Sequence, residues 1–179
     1  MPRPRIFCFA VIVIGLLLVS CTAQNKADNP SASKPTSASG TVGVQDGDNS
    51  TVMVADIKVS AKISSENVRP GQRLKVTLNV LNTASQVREL TFNTGQKYDL
   101  LIKEKEGRNV WRWSAGKMFS QMIETVRLGP GKSVSYEAEW PGTGSLERPL
   151  KPGTYTVTAN ITANDLRDKE LTFKLSVAE

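Results

Sequence analysis

Phe92-Asn-Thr-Gly95-Gln96-Lys97-Tyr98-Asp99-Leu100-Leu-Ile102-Lys-Glu104-Lys-Glu-Gly107-Arg-Asn109-Val110-Trp111-Arg112-Trp113-Ser114, running on to Phe119, is the stretch whose reading decides the fold. Tyr98, Leu100 and Ile102 recur at spacing two, the period that puts side chains on one face of a strand. Residues 104–109 then supply charge and a glycine able to take positive φ, the chemistry of a hairpin connection. The chain returns through Val110, Trp111 and Trp113, whose large apolar area suits a pleated surface. Two strands joined by a polar turn, with an aromatic centre, make this a β domain.

The alternation continues on both sides. Ile57, Val59, Ala61 and Ile63 form one set, and Leu74, Val76, Leu78 and Val80 a second. Leu90 with Phe92, Val126 with Leu128, and Val134, Tyr136, Ala138 and Trp140 flank the central stretch. Tyr155, Val157, Ala159 and Ile161, then Leu171, Phe173, Leu175 and Val177, complete the series. Residues 115–123 offer no more than one short helical turn. The expectation is an all-β, immunoglobulin-like β-sandwich of about eight or nine strands over residues 53–179. Pro70-Gly71, Pro130-Gly131 and Pro152-Gly153 each precede a strand, and Pro-Gly at the centre of a turn predicts type II geometry.

The N-terminal part reads differently. Met1 to Arg5 is a short positive start, and the apolar run from Ile6 to Val19 is shorter than the roughly 20 residues a spanning helix needs. That is the layout of a secretory signal. It ends in Leu18-Val19-Ser20-Cys21, which resembles the lipobox of bacterial lipoproteins. The resemblance implies a signal peptide over residues 1–20, cleavage before Cys21, and acyl chains such as palmitate on Cys21. Two or more chains anchor a protein stably to a membrane. The expected location is therefore the cell membrane or outer membrane, lipid-anchored and extracytoplasmic. Residues 21–52 are rich in Ser, Thr, Ala, Asn, Gly and Asp, too polar to offset the entropy of ordering, and are expected to form a flexible linker.

Composition narrows the chemistry. The 179 residues include no histidine, which removes the commonest general base and zinc ligand. Both cysteines, Cys8 and Cys21, lie before the body, so no disulfide staples it. No metal, cofactor or catalytic residue is expected. The formal charge is +6, of which Arg3 and Arg5 contribute two, and the remaining basic residues are interspersed with acids. That pattern does not suit nucleic-acid binding.

Among single residues, Trp111 is expected to be buried against the opposite sheet, with an exposed aromatic patch as the alternative. Asp99, an acid inside a strand, is expected to accept hydrogen bonds from a turn or to pair with an arginine. Trp113, Met118 and Leu146 are the candidate protein-binding residues. Met118 lies in residues 114–119 and Leu146 in the glycine- and proline-rich residues 141–150, the two loops with core residues at both ends.

Thr94-Gly95-Gln96-Lys97-Tyr98-Asp99-Leu100, Val110-Trp111-Arg112-Trp113-Ser114, Phe119-Ser-Gln121, Leu128-Gly-Pro130-Gly131, Tyr136 with Trp140, and Pro152-Gly153-Thr-Tyr155 resemble the BsuPI family of intracellular proteinase inhibitors. The resemblance spans roughly residues 57–164. It departs at Asn93-Thr94, where serine is usual before the glycine, and at Lys132, where an acid often follows Pro-Gly. It implies an immunoglobulin-like sandwich and a non-catalytic domain that inhibits a proteinase. The expected partners are the membrane, through the anchor, and a serine proteinase or another envelope protein. The alternative is an envelope interaction or scaffold module without inhibitory activity.

Overall fold

The computed structural model describes residues 43–179. The expected signal peptide, Cys21 and the expected linker up to residue 42 lie outside the described residues. The strands are β1 (Gly43–Asp46), β2 (Asn49–Val54), β3 (Ile57–Ile63), β4 (Asn67–Val68), β5 (Leu74–Asn82) and β6 (Arg88–Phe92). They continue as β7 (Tyr98–Glu104), β8 (Asn109–Arg112), β9 (Glu124–Leu128), β10 (Ser133–Trp140), β11 (Gly153–Ile161) and β12 (Leu171–Val177). One sheet has the order β1-β2-β3-β5-β10, the other β4-β12-β11-β7-β8, and β6 pairs with β9. The all-β sandwich expected from the alternation is the observed fold.

The period of two does the sorting. In β3, Ile57, Val59, Ala61 and Ile63 are buried while Lys58 and Lys62 are exposed. In β5, Leu74, Val76, Leu78 and Val80 are buried, as are Leu171, Phe173, Leu175 and Val177 in β12. These faces meet in one hydrophobic cluster that also takes in Leu100, Ile102, Val157 and Trp140. Asn82 ends β5 fully buried, but its amide is satisfied. Its Nδ2 donates to the carbonyls of Gln86 (2.7 Å) and Leu128 (2.8 Å), and its Oδ1 accepts from the Ala84 N–H (2.9 Å). Those bonds tie the end of β5 to the β9–β10 connection.

Three expectations need correction. The folded body reaches back to Gly43, so a boundary at residue 53 would cut through β2. The two residues Gly47 and Asp48 join β1 to β2, with Gly47 at φ 51°, a two-residue hairpin loop hidden in the polar stretch. These two strands, with the two-residue β4, raise the strand count to twelve among the described residues. Second, the type II turns form at two of the three Pro-Gly pairs. Gln72 N–H donates to the Arg69 carbonyl with Gly71 at φ 79°, and Lys132 N–H to the Gly129 carbonyl with Gly131 at φ 67°. Gly153 instead has φ 153° and already opens β11.

The third correction concerns tryptophan. Trp111 is half-buried, and the tryptophan fully in the core is Trp140, at 1% exposure. β8 is a four-residue strand at the edge of its sheet, so its inner face is incompletely covered. Trp140 sits beside Leu74 at the end of the longer β10.

Candidate functional site

Two loops leave the sandwich near β8, and each is fastened at its base. The first is a strap over residues 113–123 that leads from β8 to β9. Its start is held by Asp99 of β7, which is 4% exposed. The carboxylate accepts from Arg112 Nε (2.6 Å), Ser114 Oγ (2.9 Å) and the Ser114 N–H (3.2 Å). Asp99 is thus a structural clasp, the role its place inside a strand suggests. Trp113 packs between Tyr98 and Phe119, with ring centroids 4.3 and 5.8 Å away, and Lys117 Nζ lies 3.3 Å above its ring. Tyr98 also reaches across the sandwich, its hydroxyl donating to the Glu137 carbonyl of β10 (2.7 Å). Burial raises the pKa values of Tyr98 and Tyr136; nearby Glu124 adds to the effect at Tyr136. Both phenols stay neutral well beyond physiological pH.

The far end of the strap is held by the Gly95 N–H, which donates to the Ser120 carbonyl (2.9 Å). A Cβ on Gly95 would lie 2.6 Å from Ser120 Oγ. No helical turn forms among residues 115–123; the Arg112–Ala115 and Ser114–Lys117 turns take its place. Between the two ties Met118 is 99% exposed, and beyond Ser120, on the way into β9, Met122 is 69% and Ile123 72% exposed.

The second loop covers residues 141–150. Trp140 Nε1 donates to the Thr143 carbonyl (2.7 Å), which fixes the loop's first half to the core. Both the N–H and the hydroxyl of Ser145 donate to the Val110 carbonyl of β8 (2.8 Å each). Thr143 and Pro149 pair as an antiparallel bridge, and Leu150 is buried where the loop ends. Gly142 (φ 86°) lies hard against the backbone of the Gly71 turn. A Cβ there would be 2.6 Å from the Gly71 carbonyl oxygen and 2.7 Å from that of Gln72. At the tip, Leu146 is 81% exposed.

A groove runs along each side of this loop. One, of about 460 Å³, separates it from the β7–β8 hairpin and is lined by Glu104, Arg108, Val110, Leu146, Arg148 and Tyr155, among others. The other, of about 430 Å³, lies between Trp111, Arg112 and Ala115 on one wall and Pro141, Ser145 and Glu147 on the other. The structure therefore sets the base of the strap and the base of the 141–150 loop on opposite walls of one groove. Trp113 and Met118 line neither groove, and no hydrogen bond or ring contact among the described residues joins them to Leu146. The three sequence candidates form two surfaces rather than one.

The family profile described as BsuPI, intracellular proteinase inhibitor, matches residues 59–166. The chain belongs to the BsuPI family. The matched span contains both fastened loops, the Asp99 clasp and Trp140; β1, β2 and β12 lie outside it. None of the curated proteins compared matches the chain.

Solved structures resemble this BsuPI protein only distantly. The alkylpurine DNA glycosylase AlkC of Pseudomonas fluorescens is 17% identical, with a TM-score of 0.42 over 69% of this chain and 31% of its own. The sporulation control protein Spo0M of Bacillus subtilis is 14% identical, with a TM-score of 0.43 over 70% and 51%. A β-glucosidase of Listeria innocua is 16% identical, with a TM-score of 0.41 over 69% and 16%. The chain spans about half of Spo0M and smaller parts of the other two, and no property of theirs transfers to it.

Sequence reasoning missed several members of the site. Met122 and Ile123 extend the exposed part of the strap. The Ser145–Val110 latch had no sequence signal, because it joins residues 35 apart through a main-chain carbonyl. Gly142 had one: a glycine directly after Pro141 in a loop, where positive φ or a close approach is the usual reason.

Proposed function

We propose that this protein is a non-catalytic, lipid-anchored, extracytoplasmic inhibitor of a proteinase, and that the 141–150 loop engages the enzyme. One observation carries the reading: Leu146 stands exposed at the tip of a loop whose base is fastened at Trp140, Val110 and Leu150. A loop held before docking loses little conformational entropy on binding, which is where tight inhibitors gain affinity. Small secreted inhibitors often obtain that rigidity from disulfides. Here, hydrogen bonds to the core take their place. An apolar residue on such a mount suits insertion into an enzyme's specificity pocket. The anchor rests on the export-type start and on Cys21. Family membership supports the inhibitory role.

The test is a titration of the detergent-solubilised full chain against a panel of subtilisin-type and other bacterial serine proteinases. Inhibition that is lost in Leu146→Asp and kept in Met118→Asp supports the reading. The exposed group Met118, Met122 and Ile123 favours a second reading, an envelope interaction module that docks through the strap. No inhibition across the panel, together with an envelope partner crosslinked in the parent and lost in Met118→Asp, would establish that reading instead.

A further inference from the structure

The Leu146 tip is a closed turn. Glu147 N–H donates to the Gly144 carbonyl (2.9 Å), Gly144 N–H donates to the Arg148 carbonyl (2.8 Å), and Glu147 has φ 58°. A turn closed between residues three apart, followed by a left-handed residue, is the three-residue hairpin loop. The β7–β8 connection has the same form. There Gly107 N–H donates to the Glu104 carbonyl, Glu104 N–H to the Arg108 carbonyl, and Gly107 has φ 85°. The left-handed position that glycine fills at 107 is held by glutamate at 147, a conformation that L-residues adopt only at a cost. Leu146 occupies the exposed middle position, with the Thr143–Pro149 bridge closing the loop behind it.

A segment that a proteinase is to cut must lie in the cleft extended, its main chain paired like an added strand. Residues 144–148 cannot do so without breaking both closing hydrogen bonds and moving Glu147 out of the left-handed region. The Leu146 side chain, by contrast, is available with the turn intact. We infer that Leu146 is a side-chain plug: it enters an apolar pocket of the enzyme while the turn stays closed and the Leu146–Glu147 bond stays uncut. The inference rests on the inhibitory reading of this loop and adds the kind of partner it fits, a proteinase with an open apolar pocket sized for leucine.

The experiment uses the full chain with a serine proteinase that it inhibits in the titration above, following the inhibition constant and the intact mass of the chain over days. The expected mass is unchanged. Leu146→Asp is expected to weaken inhibition by about thirtyfold or more, as for a central interface residue. Glu147→Gly, which favours the left-handed position, should stay within about threefold of the parent. Glu147→Val, which favours extended backbone, should weaken inhibition about tenfold. A break between Leu146 and Glu147 in the inhibited complex, or tighter inhibition by Glu147→Val, would overturn the plug and leave the inhibitor reading standing. If no proteinase is inhibited, both fall together.

Discussion

Replacing Gly142 by alanine tests how the 141–150 loop is mounted. The added Cβ would lie 2.6 and 2.7 Å from the carbonyl oxygens of Gly71 and Gln72, distances real Cβ atoms do not tolerate. The obstacles are main-chain atoms of a hydrogen-bonded turn, so no side chain can swing aside. Two costs add: about 1–2 kcal/mol for placing alanine at φ 86°, and about 1–3 kcal/mol for displacing packed backbone. Stiffening the unfolded chain returns about 0.4–1 kcal/mol. The net expectation is about 1–5 kcal/mol. Gly107→Ala is the control, since its φ of 85° is nearly the same and a Cβ there meets nothing within 4 Å. It should lose only about 0–1.6 kcal/mol, the backbone cost less the same offset, and so about 1–3 kcal/mol less than Gly142→Ala. Urea unfolding followed by tryptophan fluorescence reads both, because Trp140 is buried beside the loop. Equal losses in the two variants would mean that the loop does not rest on the Gly71 turn, and the argument for a rigid mount would fail.

Other substitutions separate further parts of the structure. Trp140→Ala should cost about 3–5 kcal/mol, as for a fully buried aromatic, and half-buried Trp111→Ala markedly less; equal losses in thermal melts would contradict the assignment of the core tryptophan. Asp99→Ala removes a buried acceptor of charged and neutral donors and should cost about 2–3 kcal/mol, with most of the loss from Ser114, since Arg112 is largely solvated. Amide exchange over residues 113–120 should then accelerate, and unchanged protection would show that the clasp does not hold the strap. Cys21→Ala should leave an unprocessed, unlipidated precursor by mass spectrometry; the same lipidated mass after the change would remove the anchor.

Much of this molecule is decided locally, and that part was legible. Alternation over Ile57–Ile63, Leu74–Asn82 and Leu171–Val177 states which side chains face inward whatever the neighbouring strands are, because the pleat has a period of two. Pro70-Gly71 and Pro130-Gly131 form their turns from their own φ preferences. Asp99 inside a strand announces a satisfied acid, since an unpaired one would be too costly to bury. Which tryptophan is buried is a different kind of fact. Trp111 and Trp140 both sit at inward-facing strand positions, and only the sheet order, with β8 short and at an edge, leaves the first half-covered. The β1–β2 hairpin has few apolar residues and is held in register by β3, so its own composition understated it. The mount of the 141–150 loop depends on Gly71, Val110 and Trp140, contributed by three separate parts of the chain. Spacing along a chain reports what a residue's neighbours in sequence require. The contacts that turn Leu146 into a fixed, exposed tip exist only once distant backbone has been brought together by the closing of the sandwich.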